Sequence, residues 1–230
     1  MIHLGETFFN YDNKLLRTFI DLFKKPEAVI GSYVDGVRMR YVNPLNFFGV
    51  SLTLSGLSTL IIQKFYLEYL DYSQIFNLEM YSNEAAQFLE NSANIALEFG
   101  SLILSAMIPF MAIISIIVFY NKRYNFTEHL IIYLYSMSAI TILSVFVGQM
   151  LLFSVPEYYV NCIYYVYLFM FFYYVYSLQR VFELNIKQLI LKTLLFLILF
   201  FIFYLGFSII AAIYMLSTGI INLQDFAPPS

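Results

Sequence analysis

Residues 189–216 read LILKTLLFLILFFIFYLGFSIIAAIYML, a continuous apolar block in a chain of 230 residues. A helix needs about 20 consecutive apolar residues to cross the ~30 Å hydrocarbon layer of a bilayer. This block therefore predicts a membrane-spanning helix. Because the block is longer than a perpendicular crossing requires, the helix should tilt or protrude.

Four further apolar blocks have the same character. In lipid, only helices and closed barrels satisfy their backbone polar groups, and continuous apolar runs differ from the alternating pattern of barrel strands. We therefore predict an all-α, polytopic transmembrane bundle of about five spans within residues 44–217, followed by a short tail at 218–230. The other four predicted spans lie near residues 45–63, 99–120, 129–153 and 158–178.

The composition excludes several other classes of protein. The chain is 61% hydrophobic and 12% charged, whereas soluble domains typically carry about 45–50% apolar and about 25% charged residues. This difference excludes an ordinary soluble globular enzyme, and the same apolar content excludes a disordered chain. The single cysteine, Cys162, rules out an intrachain disulfide and a cysteine-based zinc ribbon.

Local patterns predict where some of the spans begin and end. Asn43 is a good helix-capping residue, and the following Pro44 suits a first helical turn. Asn125 and Glu128 have the spacing of a capping box just before the third span. The run at 154–157, SVPE, breaks the helix and leaves almost no linker. Spans three and four should therefore form a tight antiparallel hairpin.

The N-terminal part, residues 1–43, is predicted to form a cap. Residues 12–25, DNKLLRTFIDLFKK, have an apolar side and a basic side, as in helices that lie in the membrane interface. Pro26 starts a second short segment that ends near Asp35 and Gly36. Two compatible interpretations stay open: the cap lies in the interface, or it packs as a small cytosolic unit on the bundle.

The distribution of positive charge predicts the orientation in the membrane. Cationic loops resist translocation, so Lys and Arg gather on the cytoplasmic side. With a cytoplasmic N-terminus, 11 of the 12 Lys and Arg residues are cytoplasmic and Lys64 is extracytoplasmic. We therefore predict five spans with a cytoplasmic N-terminus and an extracytoplasmic C-terminus. The predicted cytoplasmic residues are Lys14, Arg17, Lys24, Lys25, Arg38, Arg40, Lys122, Arg123, Arg180, Lys187 and Lys192.

Few polar groups lie inside the predicted spans. Gln149 and Asn161 are the most polar intramembrane side chains, and each is expected to make an interhelical hydrogen bond. Ser51, Ser55 and Thr59 recur at every fourth position of the first span. Small side chains on one stripe favour close helix packing, and the lining of a polar pore is the alternative interpretation.

The sequence offers little catalytic chemistry. His3 and His129 are its two histidines, which excludes an HExxH motif or a three-histidine metal site within one chain. We expect no cofactor and no bound metal. The adjacent Glu128 and His129 lie at the predicted inner membrane boundary. They are interpreted either as a headgroup-binding or acid–base pair, or as a helix cap that pairs with nearby basic residues.

Three stretches carry distinctive motifs. Residues 14–54 contain a helix followed by the pattern Gly-x-Arg-x-Arg-Tyr-x-Asn-Pro, residues 120–139 contain Arg-x-Asn-Phe-x-Glu-His, and residues 176–196 lead into the last span. Together they resemble a bacterial multi-pass membrane family that is catalogued only as a domain of unknown function. The resemblance implies a multi-pass protein of the bacterial inner membrane and no established activity. Many relatives begin with a cysteine zinc ribbon, which this sequence lacks.

The motifs of the first two stretches map to the predicted cytoplasmic face, where they suggest a lipid- or partner-binding site. Glu128 is expected to pair with one of the arginines and to tie the cap to the third span. In the alternative interpretation, spare arginine donors bind a lipid phosphate. The residues of this predicted site are Arg38, Arg40, Asn43, Arg123, Glu128 and His129.

The function stays open among three classes. The leading hypothesis is a non-enzymatic assembly or partner-binding component of the inner membrane. The second is a transporter or an oligomeric pore, which includes a membrane-perturbing effector. The third is a lipid-acting enzyme that uses Glu128 and His129. Expected partners are membrane lipids and a membrane protein or a second copy of the chain. Nucleic acid is not expected, because topology already explains the basic residues.

Overall fold

A computed structural model describes the following residues: 14–37, 39–69, 87–89, 91–92, 94–95 and 99–218. They form helices and turns with no strand, so the all-α prediction is confirmed for this part of the chain. Arg38, most of the first linker and the predicted tail beyond Thr218 lie outside the described residues. The main helices are α1 (residues 14–24), α2 (Pro26–Val34), α3 (Pro44–Phe65), α4 (Gly100–Val118), α5 (Phe126–Ser154), α6 (Tyr159–Phe182) and α7 (Ile186–Ser217).

Five of these helices are long and apolar enough to cross a membrane, which confirms the predicted number of spans. They are α3, α4, α5, α7, and α6 together with the 3₁₀ turn Pro156–Tyr158 that precedes it. Four of the five continue a few residues past their apolar blocks at one end or both, because polar residues cap or extend them there. The hydrophobic pattern therefore locates the spans, and the caps set their ends.

Capping boxes fix the starts of α5 and α7. The Asn125 Oδ1 accepts from the Glu128 backbone N–H at 3.0 Å, and the Glu128 Oε2 accepts from the Asn125 N–H at 2.7 Å, as the spacing predicted. Asn185 and Gln188 exchange the corresponding bonds at 2.9 and 3.3 Å. The sequence prediction missed this second box and placed the start of α7 at residue 189, because the apolar block begins only there.

Helix α5 is the most buried span, and α3 runs parallel to it. The Phe47 and Tyr135 rings lie 6.2 Å apart near the two helix starts, and the Gln149 Nε2 donates to the Ser58 Oγ at 2.7 Å farther along. This bond confirms the interhelical role expected of Gln149. Ser51 of the predicted small-residue stripe is buried, and its hydroxyl donates to a carbonyl of its own helix at 2.7 Å.

Helices α5 and α6 form the predicted tight hairpin. Val155 ends α5, and the turn Pro156–Tyr158 leads directly into α6. At the other end of the pair, the Ser136 and Ser177 hydroxyls lie 3.1 Å apart in a hydrogen bond, so the two helices are antiparallel. The bond expected of Asn161 is not seen among the described residues, because its side chain is exposed on the first turns of α6.

Helices α4 and α7 are also antiparallel. The Lys192 Nζ near the start of α7 donates to the Val118 carbonyl at the end of α4 at 2.5 Å. Farther along, the Phe110 ring contacts the rings of Phe200 and Phe203 with centroid distances of 5.9 and 5.8 Å. None of the residues of α7 is buried. Most of this highly apolar helix therefore faces the surrounding lipid.

Helices α1 and α2 form a cap on one end of the bundle, which we call the cap end; the opposite end is the far end. Leu22 of α1 and Val29 and Ile30 of α2 are fully buried in the same core as residues of α3 to α6. Packing of the cap on the bundle is thus observed. Its position in the membrane interface stays a prediction, for which the exposed Leu16 and Ile20 provide an apolar edge.

The chain leaves α2 through the turn predicted at Asp35 and Gly36. Gly36 has a φ of +87°, a left-handed conformation that glycine adopts without a steric penalty. Beyond the turn, Tyr41 and Val42 return to the cap and are buried, and Asn43 then caps the start of α3. The end of this segment, at Tyr41 and Val42, is therefore packed in the core.

We predict that Tyr135→Phe destabilises the protein. The buried Tyr135 hydroxyl donates to the Val42 carbonyl at 2.7 Å, so its removal leaves that carbonyl without its partner. Such a loss typically costs about 1–3 kcal/mol of unfolding free energy. Unfolding in mixed micelles measures the change, and Tyr165→Phe at an exposed position is the control. Equal stability of the two variants would contradict this role.

Candidate functional site

The described residues of the predicted site lie at the cap end. Asn43 and Arg40 belong to the segment before α3, Arg123 lies in the loop between α4 and α5, and Glu128 and His129 lie in the first turn of α5. Arg38 lies outside the described residues. The fold thus brings the two distant motifs to one end of the bundle, as their common assignment to one membrane face predicted.

Asn43 has a structural role in this segment. Its Oδ1 accepts from the Leu45 backbone N–H at 2.9 Å and caps α3, while its Nδ2 donates to the Tyr33 hydroxyl at 3.2 Å. Pro44 occupies the first turn, where a missing N–H has no consequence. Asn43 therefore joins α2 to the start of the first span.

A polar network holds the same segment against α1. The Tyr41 hydroxyl donates to the Asp21 Oδ2 at 2.8 Å, and the Val42 N–H donates to the Thr18 Oγ1 at 3.0 Å. Lys25 forms an ion pair with Asp21 at 3.5 Å. Burial, together with the neighbouring Asp21 carboxylate, raises the pKa of Tyr41, so its hydroxyl stays protonated and remains a donor at neutral pH.

The described arginines of the site remain on the surface. Arg40 is exposed, and its guanidinium carbon lies 5.4 Å from the centre of the Tyr41 ring, with Arg17 at 6.0 Å from the same ring. Arg123 is exposed in the loop before α5. These three side chains present positive charge to the outside, and none of them forms an ion pair with a described carboxylate.

Glu128 is engaged in the capping box of its own helix rather than in a tie to the described arginines. Its Oε2 accepts from the Asn125 N–H at 2.7 Å, and the structure shows no ion pair between Glu128 and Arg40 or Arg123. A pairing with Arg38 falls outside the described residues. The local capping geometry therefore accounts for Glu128 without the expected arginine partner.

His129 lies inside the core. Its ring is 1% exposed, its Nδ1 lies 2.9 Å from the Ser115 hydroxyl of α4, and the Phe182 ring is 5.5 Å away. The Tyr124 ring contacts it from the preceding loop. In this position the imidazole joins α4, α5 and α6 and does not face the membrane surface.

An ion pair that the sequence did not reveal fastens the cap to α6. The Arg180 guanidinium donates to both carboxylate oxygens of Glu27, with its Nε at 3.1 Å and its second nitrogen at 2.5 Å. Two tyrosines of the same helix add bonds to the cap backbone: Tyr176 donates to the Lys24 carbonyl at 3.0 Å, and Tyr173 to that of Leu22 at 3.4 Å. The hydrogen bonds from Arg180 lower the pKa of Glu27.

The charges at the cap end are unbalanced. The described residues there include ten Lys and Arg side chains but five Asp and Glu side chains, whereas Lys64 lies at the far end. Three of those carboxylates, from Asp21, Glu27 and Glu128, are already bonded within the cap or the helix start. The surface at this end is therefore cationic.

The cap and the start of α3 are similar to a known protein family. Residues 12–56 match the family described as "Protein of unknown function (DUF3667)". This finding confirms the resemblance seen in the sequence over the cap, its turn and the first half of α3. No curated protein and no solved structure matches the chain.

We predict that Glu128→Gln leaves stability nearly unchanged and that Glu128→Ala lowers it. Glutamine retains the side-chain oxygen that completes a capping box, whereas alanine removes it at a cost of about 0.5–1 kcal/mol. Unfolding of the two variants in mixed micelles provides the comparison. If an ion pair rather than the cap were the main role, the glutamine variant would be as unstable as the alanine variant.

We also predict that the attachment of the cap depends on pH through Glu27. Folding lowers the pKa of this carboxyl, so the ionised form stabilises the folded state above the unfolded pKa of about 4.3. That contribution disappears as the pH falls through the lower folded-state pKa. Limited proteolysis of residues 24–40 should therefore accelerate in acid.

Two variants isolate this effect. Glu27→Gln should show faster cleavage already at neutral pH and a weaker pH dependence. Asp35→Asn changes another exposed carboxylate of the cap and should retain the wild-type profile. An unchanged pH profile in the Glu27 variant would show that other groups control the attachment.

Proposed function

We propose that this protein is a non-catalytic component of the bacterial inner membrane that binds an acidic surface of a partner protein through its cap. The observation that carries the proposal is that Arg17, Arg40 and Arg123 are all exposed at the cap end and have no carboxylate partner among the described residues. Arginine is favoured where a carboxylate must be bound with defined geometry, because its planar fork donates two parallel hydrogen bonds.

The cap is suited to binding because it is held rigidly. Contacts from α5 and α6 fix its backbone at Leu22, Lys24 and Val42, and the ion pair of Arg180 fixes Glu27. A partner that binds this surface would therefore be positioned relative to the spans themselves. Such an arrangement fits an assembly component better than a tethered, independently moving domain.

The state of the supposed acid–base pair also supports a binding role. Glu128 completes a helix cap, and His129 is bonded to Ser115 in the core. Both side chains thus have structural partners that chemistry on a lipid headgroup would have to replace. Gln149 and Ser58 likewise bond to each other, which favours packing over the lining of a pore.

The proposed orientation places the cap end in the cytoplasm. The cationic residues of this end, with Lys64 at the far end, match the rule that positive loops stay inside. We predict that a reporter active only in the cytoplasm works at the N-terminus and fails at the C-terminus. The same result for both termini, or release of the protein by an alkaline wash, would overturn the five-span topology.

Removing the positive charge of the three exposed arginines tests partner binding. We predict that a variant with Arg17→Gln, Arg40→Gln and Arg123→Gln loses most of its co-purified partner, while Lys64→Gln at the far end retains it. Quantitative mass spectrometry of the complexes, at two salt concentrations, measures the loss. Because exposed charge pairs are screened by salt, the wild-type complex should weaken in high salt. Equal recovery with both variants would refute the assignment of this surface.

A further inference from the structure

A cavity of about 160 Å³ lies between α6 and α7, with α4 and α5 contributing to its wall. Its lining is almost entirely apolar and includes Met111, Met137, Tyr174, Phe196 and Phe200. No residue of α7 is fully buried, and Leu197 in the cavity wall is 41% exposed, so the cavity adjoins the surrounding lipid. A protein cavity of about 150 Å³ with an apolar lining accepts a small hydrocarbon ligand.

Lys192 is the charged residue among those that line this cavity. Its Nζ donates to the Val118 carbonyl at 2.5 Å and to the Asn121 Oδ1 at 2.8 Å. An ammonium group has three donors, so one remains available. None of the described carboxylates forms an ion pair with Lys192; its ammonium lies 5.6 and 5.5 Å from the centres of the Phe119 and Tyr120 rings.

The position of Lys192 corresponds to the level of lipid headgroups. Val118 ends α4, and Asn121 lies in the loop between α4 and α5 at the cap end, so the ammonium is held at the boundary of the spans. From Lys192 the cavity lining continues to Phe200, eight residues farther along α7. At 1.5 Å per residue this distance is about 12 Å, which suits a segment of an acyl chain.

We propose that the cavity between α6 and α7 binds one anionic phospholipid. A segment of one acyl chain occupies the cavity beside Phe196 and Phe200, the rest of the chain lies in the surrounding lipid, and the phosphate lies against the free donor of Lys192. The positive charge and the length of the cavity favour this occupant: a zwitterionic lipid lacks the net negative charge, and a free phosphate lacks the acyl chain. The site is separate from the exposed arginines of the cap end, so it stands whether or not those arginines bind a partner.

The absence of tryptophan in this chain allows a direct test. Leu197→Trp places a single fluorescent probe on the cavity wall, and Leu195→Trp places one on another face of α7, about 200° around the helix. The two leucines are 41% and 39% exposed, so the substitutions are closely matched. Each variant is reconstituted in vesicles of phosphatidylcholine and phosphatidylglycerol, and quenching is compared when one or the other lipid is brominated.

We expect the L197W probe to show a preference of about three- to five-fold for phosphatidylglycerol, given the usual effect of one lysine near an anionic lipid. The L195W probe should show almost none, because it reports only the bulk lipid. Adding Lys192→Gln to L197W should abolish the preference, whereas Lys192→Arg should retain it. Lys187→Gln, which removes an exposed charge one turn earlier outside the cavity, should leave it unchanged.

Native mass spectrometry of the wild-type protein and of the Lys192→Gln and Lys187→Gln variants gives a readout without the probe. We expect one retained phosphatidylglycerol in the wild type and in the Lys187 variant, and its loss in the Lys192 variant. Equal preference at both tryptophan positions, or equal lipid retention by all three proteins, would overturn the proposal.

Discussion

The structure depends on helix α5, because apolar helices in lipid have no hydrophobic driving force toward one another. Packing and hydrogen bonds must hold such helices together. Helix α5 supplies both: His129 bonds to α4, Ser136 to α6, and Gln149 to α3. The polar side chains that look like possible functional groups in the sequence therefore form the hydrogen bonds between the spans. Tyr135 extends the same role to the segment before α3, since its hydroxyl donates to the Val42 carbonyl.

At the cap end, the burial of apolar side chains adds to these hydrogen bonds. Leu22, Val29 and Ile30 withdraw from solvent against the ends of the spans, and each such side chain typically contributes about 1.5–3 kcal/mol when fully buried. The ion pair of Glu27 with Arg180 orients the cap on α6 but adds little to the free energy of unfolding, since both side chains are partly exposed. The burial of apolar side chains thus holds the cap, whereas helix packing and hydrogen bonds hold the spans beneath it.

The features that were predictable from the sequence are local or periodic. The apolar blocks predicted the spans, and the spacing of Asn125 and Glu128 predicted the cap at the start of α5. The ion pair of Glu27 with Arg180 joins residues 153 positions apart, and the cavity arises where α6 and α7 separate, so no short pattern encodes either. Glu128 and His129 looked reactive because composition does not reveal burial or capping. From the sequence, Lys192 is one of several cytoplasmic charges, because its contact with α4 exists only after folding.

The match to the family of unknown function ends inside α3, yet the cap it covers is not a self-contained unit. Leu22, Val29 and Ile30 are buried against residues of α5 and α6, which lie outside the matched stretch. A protein that shares residues 12–56 with this chain must therefore provide an equivalent surface for those side chains, either from its own spans or from a partner. In this chain the matched segment is therefore a cap and half of a span that need the bundle beneath them, and under our proposal the exposed Arg17 and Arg40 are the residues of this segment that bind a partner.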